Sequence, residues 1–222
     1  MIMETLLLIE TSTDCCSVAL SRGESVLASR SDSSPKVHAS RLVPLIEEIF
    51  AETGLSMSDV DAVAVSQGPG SYTGLRVGVS TAKGLCFGSS KPLLAIDTLQ
   101  ILVQQGLSHP CHARHIVPFI DARRMEVYTL SGISPVSVIL DETSFSDLLS
   151  DAPTLFIGTG VTKFQSICQS PNAHFEECYP QASAMAPLAL EAYKKKEFKD
   201  VAYFEPFYLK EFTPGISKKS IL

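Results

Sequence analysis

Apolar and polar positions along the chain switch repeatedly between a period of two and a helical period. Leu6 to Glu10 is a short apolar run closed by an acid. The polar stretch Thr11-Ser12-Thr13-Asp14 follows, and a strand pattern resumes from Cys16 to Leu20 before the turn at Arg22-Gly23-Glu24. This predicts a β-hairpin with hydroxyls and carboxylates at its tip, and Ser25 to Ser31 as a third strand. From His38 the period becomes helical: Leu42, Leu45, Ile46, Ile49 and Phe50 share a face, and Gly54 stops it. Because proline is tolerated only in a first helical turn, Pro44 predicts that the regular helix begins close to it. Ala62 to Val65 reads as a buried parallel strand ending at Gly68-Pro69-Gly70, and Ser71 or Thr73 can cap the helix that follows. Pro92 to Ile96 is a further strand and Thr98 to Gln105 a further helix.

The second half repeats this plan. Ile116 to Leu130 is again an apolar strand, an acid, a polar turn and an alternating strand, with Asp121 in the place of Glu10. Leu155-Phe-Ile-Gly-Thr-Gly160 echoes the run from Val63 to Gly70. Matched hairpins and matched glycine turns point to an internal duplication. Helices are predicted at Phe145 to Leu149, Val161 to Ser170 and Ala184 to Lys196. Phe204 to Leu209 and the Lys218-Lys219 tail read as irregular. The class is therefore α/β, with two subdomains, 1–104 and 105–222, each carrying a mixed sheet and helices.

At 222 residues and 45% hydrophobic content the chain can bury a sizeable core. No apolar run reaches the roughly 20 residues that span a bilayer, and Glu4 stands where a signal peptide would be basic; a cytoplasmic location is expected. The net charge of −6 argues against unaided nucleic-acid binding. Six cysteines without a Cys-x-x-Cys spacing read as reduced, buried small apolar residues.

Candidate chemistry gathers around the glycine turn. Backbone N–H groups at a helix N-terminus can cradle a phosphate, but Lys83 and Gly84 are in the wrong order for a Walker A loop, and the third glycine, Gly74, falls one residue late for a dinucleotide fingerprint. Asp97 would be the ribose acid of that reading. Gly74, Gly78 and Ala82 are spaced by four and form a bare stripe along the helix. Such a stripe either packs on the chain's own sheet or docks a second protein, and the sequence leaves both open. His109-Pro-Cys-His-Ala-Arg-His115 has the composition of a metal site, but Pro110 interrupts it, no matching cluster lies elsewhere, and a solvated linker explains it as well.

The blocks Ile9-Glu-Thr-Ser-Thr13, Gly68-Pro-Gly-Ser-Tyr-Thr-Gly-Leu-Arg76 with Gly78, Lys83-Gly84-Leu85, and Asp121-Ala-Arg-Arg with Glu126-Val-Tyr128 resemble the TsaB family, also called YeaZ. The departures are Glu10 for the more usual Asp and Tyr72 for Phe. The resemblance implies a duplicated actin-like, Hsp70-like (ribonuclease H-like) fold. It also implies a part in making N6-threonylcarbamoyladenosine at position 37 of tRNA.

In that pathway the related TsaD subunit performs the transfer with a metal held by a His-x-x-x-His motif, whose positions here look like Thr98 and Leu102. Neither can act as an imidazole ligand, so the resemblance implies a non-catalytic subunit that binds and activates TsaD, with a TsaE-type ATPase joining. No tightly bound cofactor is expected on this chain alone; ATP and metal belong to the partners, tRNA is met only through the complex, and a homodimer is an option for the isolated chain.

The family contact is a bundle of the first two helices of each partner. It is expected here at His38, Leu42, Leu45, Ile49, Gly74, Arg76, Gly78 and Ala82, with no catalytic residue and no metal ligand. His38 by itself reads more simply as a cap or packing residue. The competing function is an actin-like ATPase or small-molecule kinase, with Glu10 and Asp121 holding a cation and the two glycine turns, Gly68 to Gly70 and Gly158 to Gly160, holding phosphate. A peptidase is disfavoured because Ser71 and Ser80 have no evident paired base.

Overall fold

A computed structural model describes residues 3–35 and 37–210. β1 (Thr5–Glu10), β2 (Cys16–Arg22) and β3 (Ser25–Asp32) form an antiparallel meander, and β4 (Ala62–Gly68) and β5 (Leu93–Asp97) add on parallel to β1, giving the order β3-β2-β1-β4-β5. The second sheet contains β6 (His115–Asp121), β7 (Glu126–Ser131), β8 (Ser134–Ile139), β9 (Thr154–Gly158) and β10 (Ala173–Glu176) in the order β10-β9-β6-β7-β8. In both halves the third, second, first, fourth and fifth strands lie side by side, which is a duplicated α/β arrangement. β8 and β10 are edge strands that the hydrophobic pattern does not predict; Pro135 is tolerated in β8 because an edge leaves donors unpaired.

β1 is buried along its whole length because both of its faces are covered. Leu7 and Ile9 meet α1 (His38–Thr53) and α2 (Tyr72–Ser89), whereas Leu6 and Leu8 meet α6 (Ala186–Lys194). α1 begins at His38, ahead of Pro44, which stands in its second turn. The proline forfeits one bond to the carbonyl of Ser40, and Ser40 is exposed, so water can take that carbonyl. Gly54 ends α1 in the left-handed conformation at φ 68°, its N–H donating to the Phe50 carbonyl at 2.9 Å. Ser71 is the N-cap of α2, its hydroxyl accepting from the Gly74 N–H.

The second half has shorter helices. α4 (Ser146–Asp151) lies close to its predicted place, whereas α5 (Val161–Gln165) stops well short of Ser170, where the following proline disfavours helix. The boundary at 104/105 does not divide the packing. α3 (Thr98–Gly106) sets Leu99 and Leu102 against the second sheet, and α6, with the 3-10 segment Ala182–Met185 before it, covers the open face of the first. Each half thus lends its closing helix to the other, and the stretch after about residue 180 belongs with the first sheet. Among the described residues no helix is long and apolar enough to cross a membrane, and all six cysteines are free. Lys218-Lys219 lies outside the described residues.

Candidate functional site

The duplication brings the tips of the two hairpins and the two glycine turns to opposite walls of one cleft of about 1030 Å³. In each hairpin the strand-ending carboxylate folds its own turn. Glu10 Oε1 accepts from the Ser12 N–H at 2.6 Å, and Asp121 Oδ1 accepts from the Arg123 N–H at 2.5 Å. The fates of the two acids then diverge. Asp121 lies at the surface and is ion-paired with Lys163 at 2.8 Å. Glu10 is fully buried with Oε2 lacking a hydrogen-bond partner, and burial pushes its carboxyl up to about 7 against the opposing effect of its hydrogen bonds. Asp121 lines the cleft and Glu10 does not.

The first glycine turn is filled by the chain itself. The Ser71 N–H donates to the Ser12 carbonyl at 2.6 Å, and a Cβ on Gly70 would lie 2.2 Å from that same oxygen. One turn on, a Cβ on Gly74 would meet the Thr11 carbonyl oxygen at 2.1 Å, and one on Gly78 would meet Thr11 Oγ1 at 2.1 Å. The bare stripe therefore seats the β1–β2 turn against α2, which decides between the two readings of it in favour of the chain's own sheet. Asp97, the candidate ribose acid, caps α3 by accepting from the N–H groups of Leu99 and Gln100 at 2.8 and 3.2 Å. The histidine-rich segment is dispersed: His115 pairs with Asp151 at 2.8 Å and His109 faces Glu176 at 3.7 Å. Among the described residues no group of three or more His, Cys, Asp or Glu side chains could hold a metal ion. Thr98 and Leu102 are fully buried, and a threonine and a leucine packed in the interior do not fit a metal centre.

The second feature with functional character is the outer surface of α1 and α2, which lie together on one face of the first sheet. Of the residues expected at a partner contact, Leu42, Leu45, Ile49, Gly74, Gly78 and Ala82 point inward and are buried. This corrects their placement: they support the helices and are not presented to a partner. His38 heads α1 half-buried, makes no capping bond, and leaves Nε2 unpartnered. Arg76 alone among the eight is exposed, with its guanidinium carbon 4.1 Å from the centroid of the Tyr72 ring. The outward apolar groups are Phe87, 83% exposed, and Val43, 50% exposed. Beside Phe87, Gly84 and Gly88 have open space where a Cβ would stand. The signal in the sequence was an aromatic residue between two glycines, on the side of the helix away from Leu75, Val79, Ala82 and Cys86.

The sequence is 33% identical over 224 residues to the tRNA threonylcarbamoyladenosine biosynthesis protein TsaB of Haemophilus influenzae, a match covering 93% of each chain. The chain belongs to the TsaB (YeaZ) family. The Escherichia coli TsaB protein is 29% identical over 92% of this chain and 94% of its own length. YeaZ from Pseudomonas aeruginosa superposes with a TM-score of 0.79 at 32% identity, covering 93% of this chain and 100% of that one. The family model of TsaD, tRNA N6-adenosine threonylcarbamoyltransferase, matches residues 26–211. Membership in the TsaB family places the chain in threonylcarbamoyladenosine biosynthesis. The match to the transferase model takes in most of both halves of the chain.

Proposed function

We propose that this chain is the non-catalytic, partner-holding subunit of the cytoplasmic assembly that installs N6-threonylcarbamoyl on adenosine 37 of tRNA. It binds and activates a TsaD-type subunit through the outer surface of α1 and α2, a TsaE-type ATPase joins the pair, and ATP, metal and most tRNA contacts belong to the other subunits. The observation that carries this reading is the pairing of a filled interior at Thr98 and Leu102 with an aromatic side chain left bare at Phe87. A phenylalanine held in water on a rigid helix, flanked by glycines that let another backbone approach, is suited to a helical partner. The net charge of −6 agrees with tRNA being met through other subunits. The kinase reading is disfavoured by the burial of Glu10 and by Ser12 occupying the glycine turn.

The test is reconstitution with the TsaD-type protein of the same organism. This chain alone, supplied with metal, ATP and the threonylcarbamoyl donor, is expected to modify no tRNA, and the TsaD-type protein is expected to need it; modification by this chain alone refutes the reading. Phe87→Asp is expected to weaken the complex about 100-fold, within the range of interface anchors, while leaving the melting temperature unchanged because the side chain lies in solvent. Size-exclusion chromatography with the isolated variant reports whether the same surface also joins two copies. Unaltered affinity of a folded Phe87→Asp variant would move the contact elsewhere.

A further inference from the structure

The last described residues form a strap that the partner-holding role does not use. It starts on the first sheet, where the Lys199 N–H donates to the Leu93 carbonyl at 2.9 Å. It then runs along α2, and Lys83 Nζ donates to the carbonyls of Ala202 and Phe204 at 3.2 and 3.0 Å. The Phe207 N–H donates to the Gln67 carbonyl at 2.7 Å, and the Phe207 carbonyl lies where a Cβ on Gly68 would come within 2.3 Å of its oxygen. Gly68, at φ 115°, is therefore the residue that lets the strap lie flat on the end of β4. Tyr208 packs against Tyr72 in a tilted pair with ring centroids 4.8 Å apart, and its hydroxyl accepts from Arg76 Nε at 3.3 Å. Two residues later the strap reaches the second sheet, where Lys210 is ion-paired with Glu126 at the start of β7. Tyr208, Leu209 and Lys210 thereby wall the cleft between the halves.

The end of the strap that crosses the cleft is its weaker part: Val201 and Phe204 pack against the core of the first half, whereas Tyr208 and Lys210 are held by individual side chains with no strand or helix of their own. Its ionic tie to the second sheet involves a half-exposed lysine, a kind of pair that contributes little. Arg76, which holds Tyr208, also lies on the exposed side of α2, one turn from Ser80 and on the way to Phe87. A guanidinium drawn into a contact on that surface is lost to the tyrosine.

We propose that residues 199–210 are a latch across the cleft, holding the two sheets closed while the chain is alone, and that a protein covering the outer surface of α2 takes Arg76 from Tyr208 and frees the strap. The second clause rests on the docking surface proposed above. Partner capture and opening of the cleft are then one event.

Hydrogen exchange on the full chain tests both clauses. In the isolated chain, Tyr208→Ala is expected to speed exchange about fivefold in peptides spanning 204–209 and in the turn 121–126, with β1 and β4 unchanged. Lys210→Ala should reproduce the effect at 121–126. Unaltered exchange at 121–126 in both variants overturns the latch, whatever a partner does. With the TsaD-type protein added to the wild type, residues 73–88 are expected to slow while 204–209 speed up. If 73–88 slow and the strap stays as protected as before or more so, release is refuted and the docking surface stands. If the complex does not form, or forms without protecting 73–88, both readings fall together.

Discussion

Replacing Gly74 by alanine is expected to destabilise the chain by about 3 kcal/mol, at the upper end of what overpacking a core costs. The new methyl would lie 2.1 Å from the Thr11 carbonyl oxygen. Backbone faces backbone there, so no side chain can rotate out of the way, and α2 must lift from the end of β1. Gly84→Ala in the same helix supplies the opposite sign. Nothing lies within 4 Å of that position, so the substitution is expected to stabilise by about 0.5 to 1 kcal/mol through the lower conformational freedom of alanine in the unfolded chain. Urea denaturation of the two variants decides the matter. Equal shifts would mean that the stripe does not seat the β1–β2 turn.

Stability is also expected to fall as pH rises from about 4.5 to about 7, because of Glu10. Its carboxyl is raised from an ordinary value of 4.5 to about 7 by burial. Between those values the folded chain holds a proton that the unfolded chain has released, so the protonated carboxyl contributes stability that is complete below about 4.5 and gone above about 7. A shift of this size corresponds to about 3 kcal/mol. Glu10→Gln keeps an oxygen to accept from the Ser12 N–H and cannot ionise. The variant is therefore expected to match the wild type at pH 4 and to exceed it by up to about 3 kcal/mol at pH 8. Chemical denaturation across that range is the measurement; parallel curves for the two proteins would show that Glu10 does not titrate in the folded interior.

Much of the first half was legible because its signals are local. The Ser71 cap, the Gly54 stop and the apolar face of α1 each depend on residues within a turn or two. The spacing of Gly74, Gly78 and Ala82 was also visible, but what the glycines accommodate was not. Thr11 lies far earlier in the chain, and only the parallel pairing of β1 with β4 brings it to α2. The same distinction applies to the apolar face of α1. Leu42, Leu45 and Ile49 have the same periodic signature whether they face the chain's own sheet or a second protein, and here the sheet takes them. Phe87, which faces water, lies outside that periodicity. The strap from Lys199 to Lys210 forms no strand or helix that a period could announce, and beyond Val201 and Phe204 it docks through individual groups. An amphipathic α6 says that it covers a sheet without saying which one.

The exchange of closing helices has a consequence for biosynthesis. Leu6, Leu8 and Ala64 are covered by Ala186, Ala189 and Leu190, residues far later in the chain. As the nascent polypeptide leaves the ribosome, one greasy surface of its first sheet must wait, uncovered, until almost everything else has been synthesised, and closing so long a loop is slow. A helix made late thus closes a sheet made early. A fragment ending at the midpoint would leave Leu6, Leu8 and Ala64 uncovered and is expected to aggregate.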